Sequence, residues 1–117
     1  MSNNRREFFR VNFNNALEGE ILIPEHDFLA VQIYDLSAKG LRFVSSLNMP
    51  LQTELECRFK FLNSSFIVEG IIVRKGASNG EIEYGIEFNT DHDTYTELFK
   101  ELNKYLIRQR KEALITE

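Results

Sequence analysis

Along "LQTELECRFKF", residues 51 to 61, side chains alternate in character: Leu51, Thr53, Leu55, Cys57, Phe59 and Phe61 on one side, Gln52, Glu54, Glu56, Arg58 and Lys60 on the other. A period of two places these sets on opposite faces of a β-strand, so one face joins a core and the other meets water. "EIEYGIEF" repeats the pattern, with Ile82, Tyr84, Ile86 and Phe88 inward and Glu81, Glu83, Gly85 and Glu87 outward. The preceding "GASNG" reads as a flexible turn after the run "SFIVEGIIVRK", so these two runs predict a hairpin. Further runs at "ALEGEILI", "FLAVQIYDL" and "LRFVSS" are separated by "PEHD" and "SAKG". About six short strands result, the number that a small closed barrel can use to hide its edges.

A change of period ends the series. Tyr95, Leu98, Phe99, Leu102, Tyr105 and Leu106 recur at helical spacing, with Thr94 as expected cap and Glu97 reaching back to it. The polar side of this helix carries Lys100, Lys104, Arg108, Arg110 and Lys111, the later charges facing the negative end of the helix dipole. The expected fold is mainly β: a six-stranded antiparallel barrel with a C-terminal α-helix packed on it.

At 117 residues the chain has room for one modest core and is read as one domain. Eighteen acidic against fourteen basic residues give a net charge of -4, which opposes long-range attraction to a polyanion. An anion site must therefore be local. The single cysteine, Cys57, allows no intramolecular disulfide and is compatible with a reducing compartment. No apolar run approaches the roughly 20 residues of a membrane span, and the N-terminus lacks the apolar segment of a signal peptide. The expected location is the cytoplasm, without membrane insertion.

Against this acidic background, "NNRREFFRV" packs Arg5, Arg6 and Arg10 beside Phe8 and Phe9. A guanidinium meets a phosphate or a guanine edge in two parallel hydrogen bonds, and its flat face stacks on rings. The segment suits a small, flat, anionic ligand. A second segment, "DLSAKG", offers the Asp35 carboxylate, the Ser37 hydroxyl and Gly40, where the backbone can be approached closely. Read alone, it is a turn in which Asp35 or Ser37 caps its own backbone, and the first segment alone is a solvated basic tail.

Together, R-x-x-x-R at Arg6 and Arg10 and D-x-S-x-x-G at Asp35, Ser37 and Gly40 resemble the paired signature of PilZ domains, bacterial receptors for cyclic di-GMP. The resemblance runs through "YGIEF" and the final helix, over roughly residues 5 to 107. It departs after Pro50, where many relatives carry a glycine and this chain has Leu51 and Gln52. The family fold implied is the barrel with a C-terminal helix already expected from periodicity, here with a flexible ligand-binding arm at 1–12 and the barrel and helix at 13–117.

By resemblance, Arg6 and Arg10 clamp phosphates and guanines, Asp35 reads a guanine edge, Ser37 donates to a phosphate or base, and Gly40 permits the close turn. Arg5, directly before the motif, implies a stacked pair of ligands, since such a pair carries about four negative charges and needs a third cation. The implied role is a sensor that passes its message in trans to a partner protein, with motility or surface-polysaccharide machinery suggested by the family.

Other classes fare less well. No histidine, cysteine or serine sits in a recognisable nucleophile arrangement, so an enzyme is not expected. A single-stranded nucleic-acid binder would account for interleaved arginine and phenylalanine, but Glu54, Glu56, Glu81, Glu83 and Glu87 face the water where such a polymer would lie. A barrel that has lost its ligand and serves only as a protein adaptor fits poorly with complete motifs. His26 and His92 have no ligand cluster around them, Asp91 and Asp93 serve the positive end of the helix, and Cys57 reads as a small buried hydrophobe.

Overall fold

The computed structural model describes residues 10–115, with side chains to residue 112. Six strands precede one helix: β1 (Val11–Leu22), β2 (Phe28–Ser37), β3 (Gly40–Ser45), β4 (Glu54–Phe61), β5 (Ser64–Ser78), β6 (Glu81–Phe88) and α1 (His92–Ile115). All pairings are antiparallel, and the strands close into a ring in the order β1-β2-β3-β6-β5-β4, with β4 returning to β1. Among the described residues no helix is long and apolar enough to cross a membrane.

The strands follow the alternation with local departures. Leu55, Cys57, Phe59 and Phe61 of β4 are buried as expected, but Leu51 is exposed and Thr53 lies outside the strand. The cause is a turn after Pro50, whose carbonyl accepts from both the amide and the hydroxyl of Thr53 (3.3 and 2.7 Å). Gln52 within that turn has φ 72°, a left-handed angle at which the alternation cannot continue. At "GASNG" the loop is shorter than expected, because β5 runs on through Ser78. Only Asn79 (φ 49°) and Gly80 (φ 84°) turn the chain, and positive φ at both central residues is what a two-residue hairpin matched to strand twist requires. Strand β1 begins at Val11, ahead of "ALEGEILI", and its pairing with β2 slips between Asn12 and Leu17. The arm expected at 1–12 therefore overlaps β1 at Val11 and Asn12, and its remaining described residue is Arg10.

The core fills the ring with aliphatic and aromatic side chains, among them Ile21, Ile33, Phe43, Ile72 and Tyr84, each essentially inaccessible. Helix α1 adds Leu98 and Leu102, both fully buried, each stabilising by about 1.5–3 kcal/mol relative to exposure. Beside them Tyr105 packs on Phe61 (5.3 Å between centroids) and Phe13 (6.0 Å), joining the helix to β4 and to the start of β1.

The helix starts earlier than the capping reading implied. Asp91 is the cap: its Oδ1 accepts the Thr94 amide (2.8 Å), while its carbonyl accepts that of Tyr95 (3.1 Å). Thr94 thus stands at the third helical position. The hydrogen bond donated by the Thr94 amide holds the Asp91 carboxyl below its ordinary range. Burial, reinforced by the neighbouring Glu56 charge, pushes the Cys57 thiol up to about 12, as expected for an inert core residue.

Candidate functional site

Strand β2 loses its alternation at its end: Tyr34 is exposed, then Asp35, Leu36 and Ser37 are buried in succession. The pairing of β2 with β3 slips between Ile33 and Asp35, and this irregularity sets Asp35 opposite both Asn12 of β1 and Arg42 of β3. The β2–β3 hairpin then turns at Ala38 and Lys39. Ser37 Oγ accepts the Lys39 amide (3.2 Å) and donates to the Gly40 carbonyl (3.4 Å), closing the turn from inside. Gly40 follows from sterics: a Cβ there would lie 2.1 Å from the Ile86 carbonyl oxygen on β6.

Asp35 is 1% exposed, and a carboxylate so buried needs ionic partners. It has two. Arg10 donates from Nη1 to Oδ1 at 2.7 Å, and Arg42 donates from Nε to Oδ2. Arg42 also extends Nη1 to Oε2 of Glu83 on β6, at 2.7 Å. Both arginine side chains are 41% exposed, so they remain accessible from water.

These groups line one end of a cleft of about 380 Å³ that continues to Arg74, Lys75 and Gly85. Gly85 stands between Arg42 and Arg74 in the sheet, and a Cβ there would press to 3.3 Å on both Cβ and Nε of Arg74. Lys75 is held by Asn48 Oδ1 (2.7 Å) and lies over the Tyr84 ring (6.0 Å to its centroid). Tyr84 in turn donates its hydroxyl to the Leu47 carbonyl and accepts the Met49 amide, tying that loop to the sheet. The cleft thus sets four cationic side chains against two carboxylates, a local positive site in an acidic chain. Such a site can hold a compact dianion through charge-assisted bonds.

Of the residues expected from the motifs, the cleft contains Arg10 and Asp35. Ser37 and Gly40 do not line it; they form the turn that presents Asp35. Arg5 and Arg6 lie outside the described residues, as do Phe8 and Phe9. Arg42, Arg74, Lys75 and Glu83 were absent from the motif reading. Arg42 was discernible as the cation two residues after Gly40, opposite Asp35 once the turn is closed. Arg74 and Lys75 stood out only as charges ending an apolar run.

A closed ring of six antiparallel strands with one C-terminal helix, carrying a cation-rich cleft where Arg10 meets the β2–β3 hairpin, defines a small β-domain with a local positive site. The chain belongs to the PilZ domain family, whose model matches residues 4–108. No curated protein sequence matches the chain.

Similar solved structures share its fold. YcgR from Escherichia coli in complex with c-di-GMP superposes with a TM-score of 0.80 at 14% identity, over 97% of this chain and 51% of that one. The PilZ domain of YcgR with c-di-GMP has a TM-score of 0.70 at 15% identity, covering 97% and 99% of the two chains. The Bacillus subtilis inhibitor of motility MotI/DgrA gives 0.72 at 16% identity, over 92% and 52%. The chain spans about half the length of full YcgR and of MotI/DgrA.

Proposed function

We propose that this chain is a non-catalytic cytoplasmic receptor for cyclic di-GMP that signals to a partner protein in trans. The observation that carries the reading is the bond between Arg10 and the buried Asp35, which joins the two family motifs across 25 residues of sequence. Family membership and the c-di-GMP complexes of similar domains support it.

In this reading Asp35 is stored in a compensated state. Its ion pairs hold Arg10 and Arg42 in place before ligand arrives. A phosphate of cyclic di-GMP then competes for the exposed faces of these guanidiniums, and Arg10 exchanges the carboxylate for the phosphate. The released Asp35 oxygen accepts from the N1–H and N2–H edge of guanine, a donor pair that adenine lacks. Arg5 and Arg6 add charge from the arm, Ser37 and Gly40 keep the hairpin that presents Asp35, and Arg74 extends the positive wall. With three arginines on the arm, two stacked ligands bind, the third cation answering the second dianion.

Ligand binding reorganises the arm and so alters the surface that a partner reads. Likeness to an inhibitor of motility supports motility machinery as the destination, with surface-polysaccharide machinery as the other family theme. Isothermal titration with cyclic di-GMP tests the reading, since a receptor gives saturable heat and returns the ligand intact.

A further inference from the structure

The outer face of β1, β4 and β5 carries a pattern that neither the core nor the cation-rich cleft explains. Cross-strand register lays out one row as Phe28, Leu22, Glu56 and Glu69, and the next as Ala30, Glu20, Arg58 and Ile67. A third row aligns Glu54, Ile71 and Glu87. Glu56 and Glu69 are thus directly opposed like charges, an arrangement that destabilises a sheet. The nearby cation, Arg58, relieves it from the Glu56 side alone. Its Nε donates to Glu56 (2.6 Å) and its guanidinium lies over the Phe28 ring (4.5 Å). Among the described residues, Glu20, Glu54, Glu69 and Glu87 take part in no ion pair.

The same face exposes large apolar side chains. Ile67 is 62% exposed and Phe28 46%, and Leu51 (52%) sits at the turn leading into β4. A groove lined by Leu22, Ile71, Glu54, Glu56 and Glu69 opens on this surface. Apolar anchors beside the unpaired carboxylates of Glu54 and Glu69, with Glu56 already paired to Arg58, call for an occupant that is apolar along one stripe and cationic on either side. Across this face β1 pairs with β4 at Gly19–Leu22 and β4 with β5 along its length, so among the described residues these rows offer no free edge for an added strand and recognition passes through side chains.

We infer that this face docks a basic amphipathic helix of a partner protein, its apolar stripe over Ile67, Ile71 and Leu22 and its lysines or arginines between Glu54, Glu56 and Glu69. The inference goes beyond the ligand reading and does not depend on it. Neither the Arg10–Asp35 pair nor any other group of the cation-rich cleft belongs to this face.

The test uses the full chain and a fluorescent synthetic helical peptide with one leucine stripe flanked by lysines, followed by anisotropy with and without cyclic di-GMP. Saturable binding is expected, weakened roughly tenfold or more by Glu69→Lys or Ile67→Asp and unchanged by Arg10→Ala. Both substitutions are on exposed positions, and circular dichroism verifies folding. Three results would each overturn the inference: no saturable binding, equal affinity in the folded variants, or equal binding of a peptide of the same composition with its leucines scattered. Self-association of the chain that Glu69→Lys abolishes would also overturn it, assigning the face to a second copy. Loss of cyclic di-GMP binding with peptide binding intact would fault the ligand reading alone.

Discussion

Arg10 and Asp35 stand 25 positions apart in the chain and 2.7 Å apart in the fold, with the arginine 41% exposed and the aspartate 1%. In the proposed function, that asymmetry is what lets the arginine exchange the carboxylate for a phosphate. The carboxylate is held in the protein by two cations, whereas each cation's side chain remains accessible from water.

Removing cations one at a time should therefore be mild, and removing both severe. Arg10→Ala or Arg42→Ala alone leaves Asp35 one partner and should cost about 1.5–3 kcal/mol. The double substitution strands a buried charge, which costs about 3–5 kcal/mol or more, and Asp35→Asn added to it should restore part of the loss. Urea unfolding of the series checks this; no rescue by Asp35→Asn in the doubly substituted chain would show that Asp35 is not a buried charge.

Discrimination between nucleotides should follow Asp35. Asp35→Ala is expected to bind cyclic di-GMP more weakly and to narrow its preference over cyclic di-AMP, because the donor-reading carboxylate is gone. Competition titrations measure both; unchanged preference would leave Asp35 as a partner of Arg10 and Arg42 only.

The hairpin that presents Asp35 should be intolerant at Gly40. A methyl group 2.1 Å from the Ile86 carbonyl forces β3 away from β6, so Gly40→Ala should destabilise by about 3 kcal/mol. Gln52→Gly is expected to act in the opposite sense, relieving a left-handed angle and stabilising by about 0.5–1 kcal/mol net of glycine's entropy. Thermal unfolding of the two variants reports both signs.

Cys57 gives a pH signature. Its thiol rises from an ordinary 9.0 to about 12 in the fold through burial, so the unfolded chain releases this proton first. The stability it contributes is complete below about pH 9 and is lost as pH climbs toward about 12. Cys57→Ala should flatten that alkaline decline, and the native thiol should resist alkylation until the chain unfolds.

Much of this was legible in the sequence because one period governs each element. β4, β6 and α1 present uninterrupted patterns of two or of 3.6 residues, so Leu55 to Phe61 and Leu98 to Leu102 declared their buried faces. What escaped was set by backbone angles and register. Gln52 at positive φ ends the alternation before Leu51 can join the core, and Asp91 rather than Thr94 caps the helix because the helix begins three residues earlier, at His92. Arg42, Arg74, Lys75 and Glu83 become neighbours of Asp35 only after β2, β3, β6 and β5 align, a relation that no local window contains. The motifs located Arg10 and Asp35 because they name residues that the fold later joins.

Calorimetric titration of the unmutated chain with cyclic di-GMP, repeated on Arg10→Ala and Arg5→Leu, tests the account most directly. The expected result is saturable heat with two ligands per chain, strong weakening in Arg10→Ala with the barrel still folded, and one ligand per chain in Arg5→Leu. Saturation at one ligand in the unmutated chain would remove the stacked pair and the role of Arg5. No heat at saturating ligand, or near-normal affinity in Arg10→Ala, would contradict the claim that the Arg10–Asp35 pair is the heart of a cyclic di-GMP site.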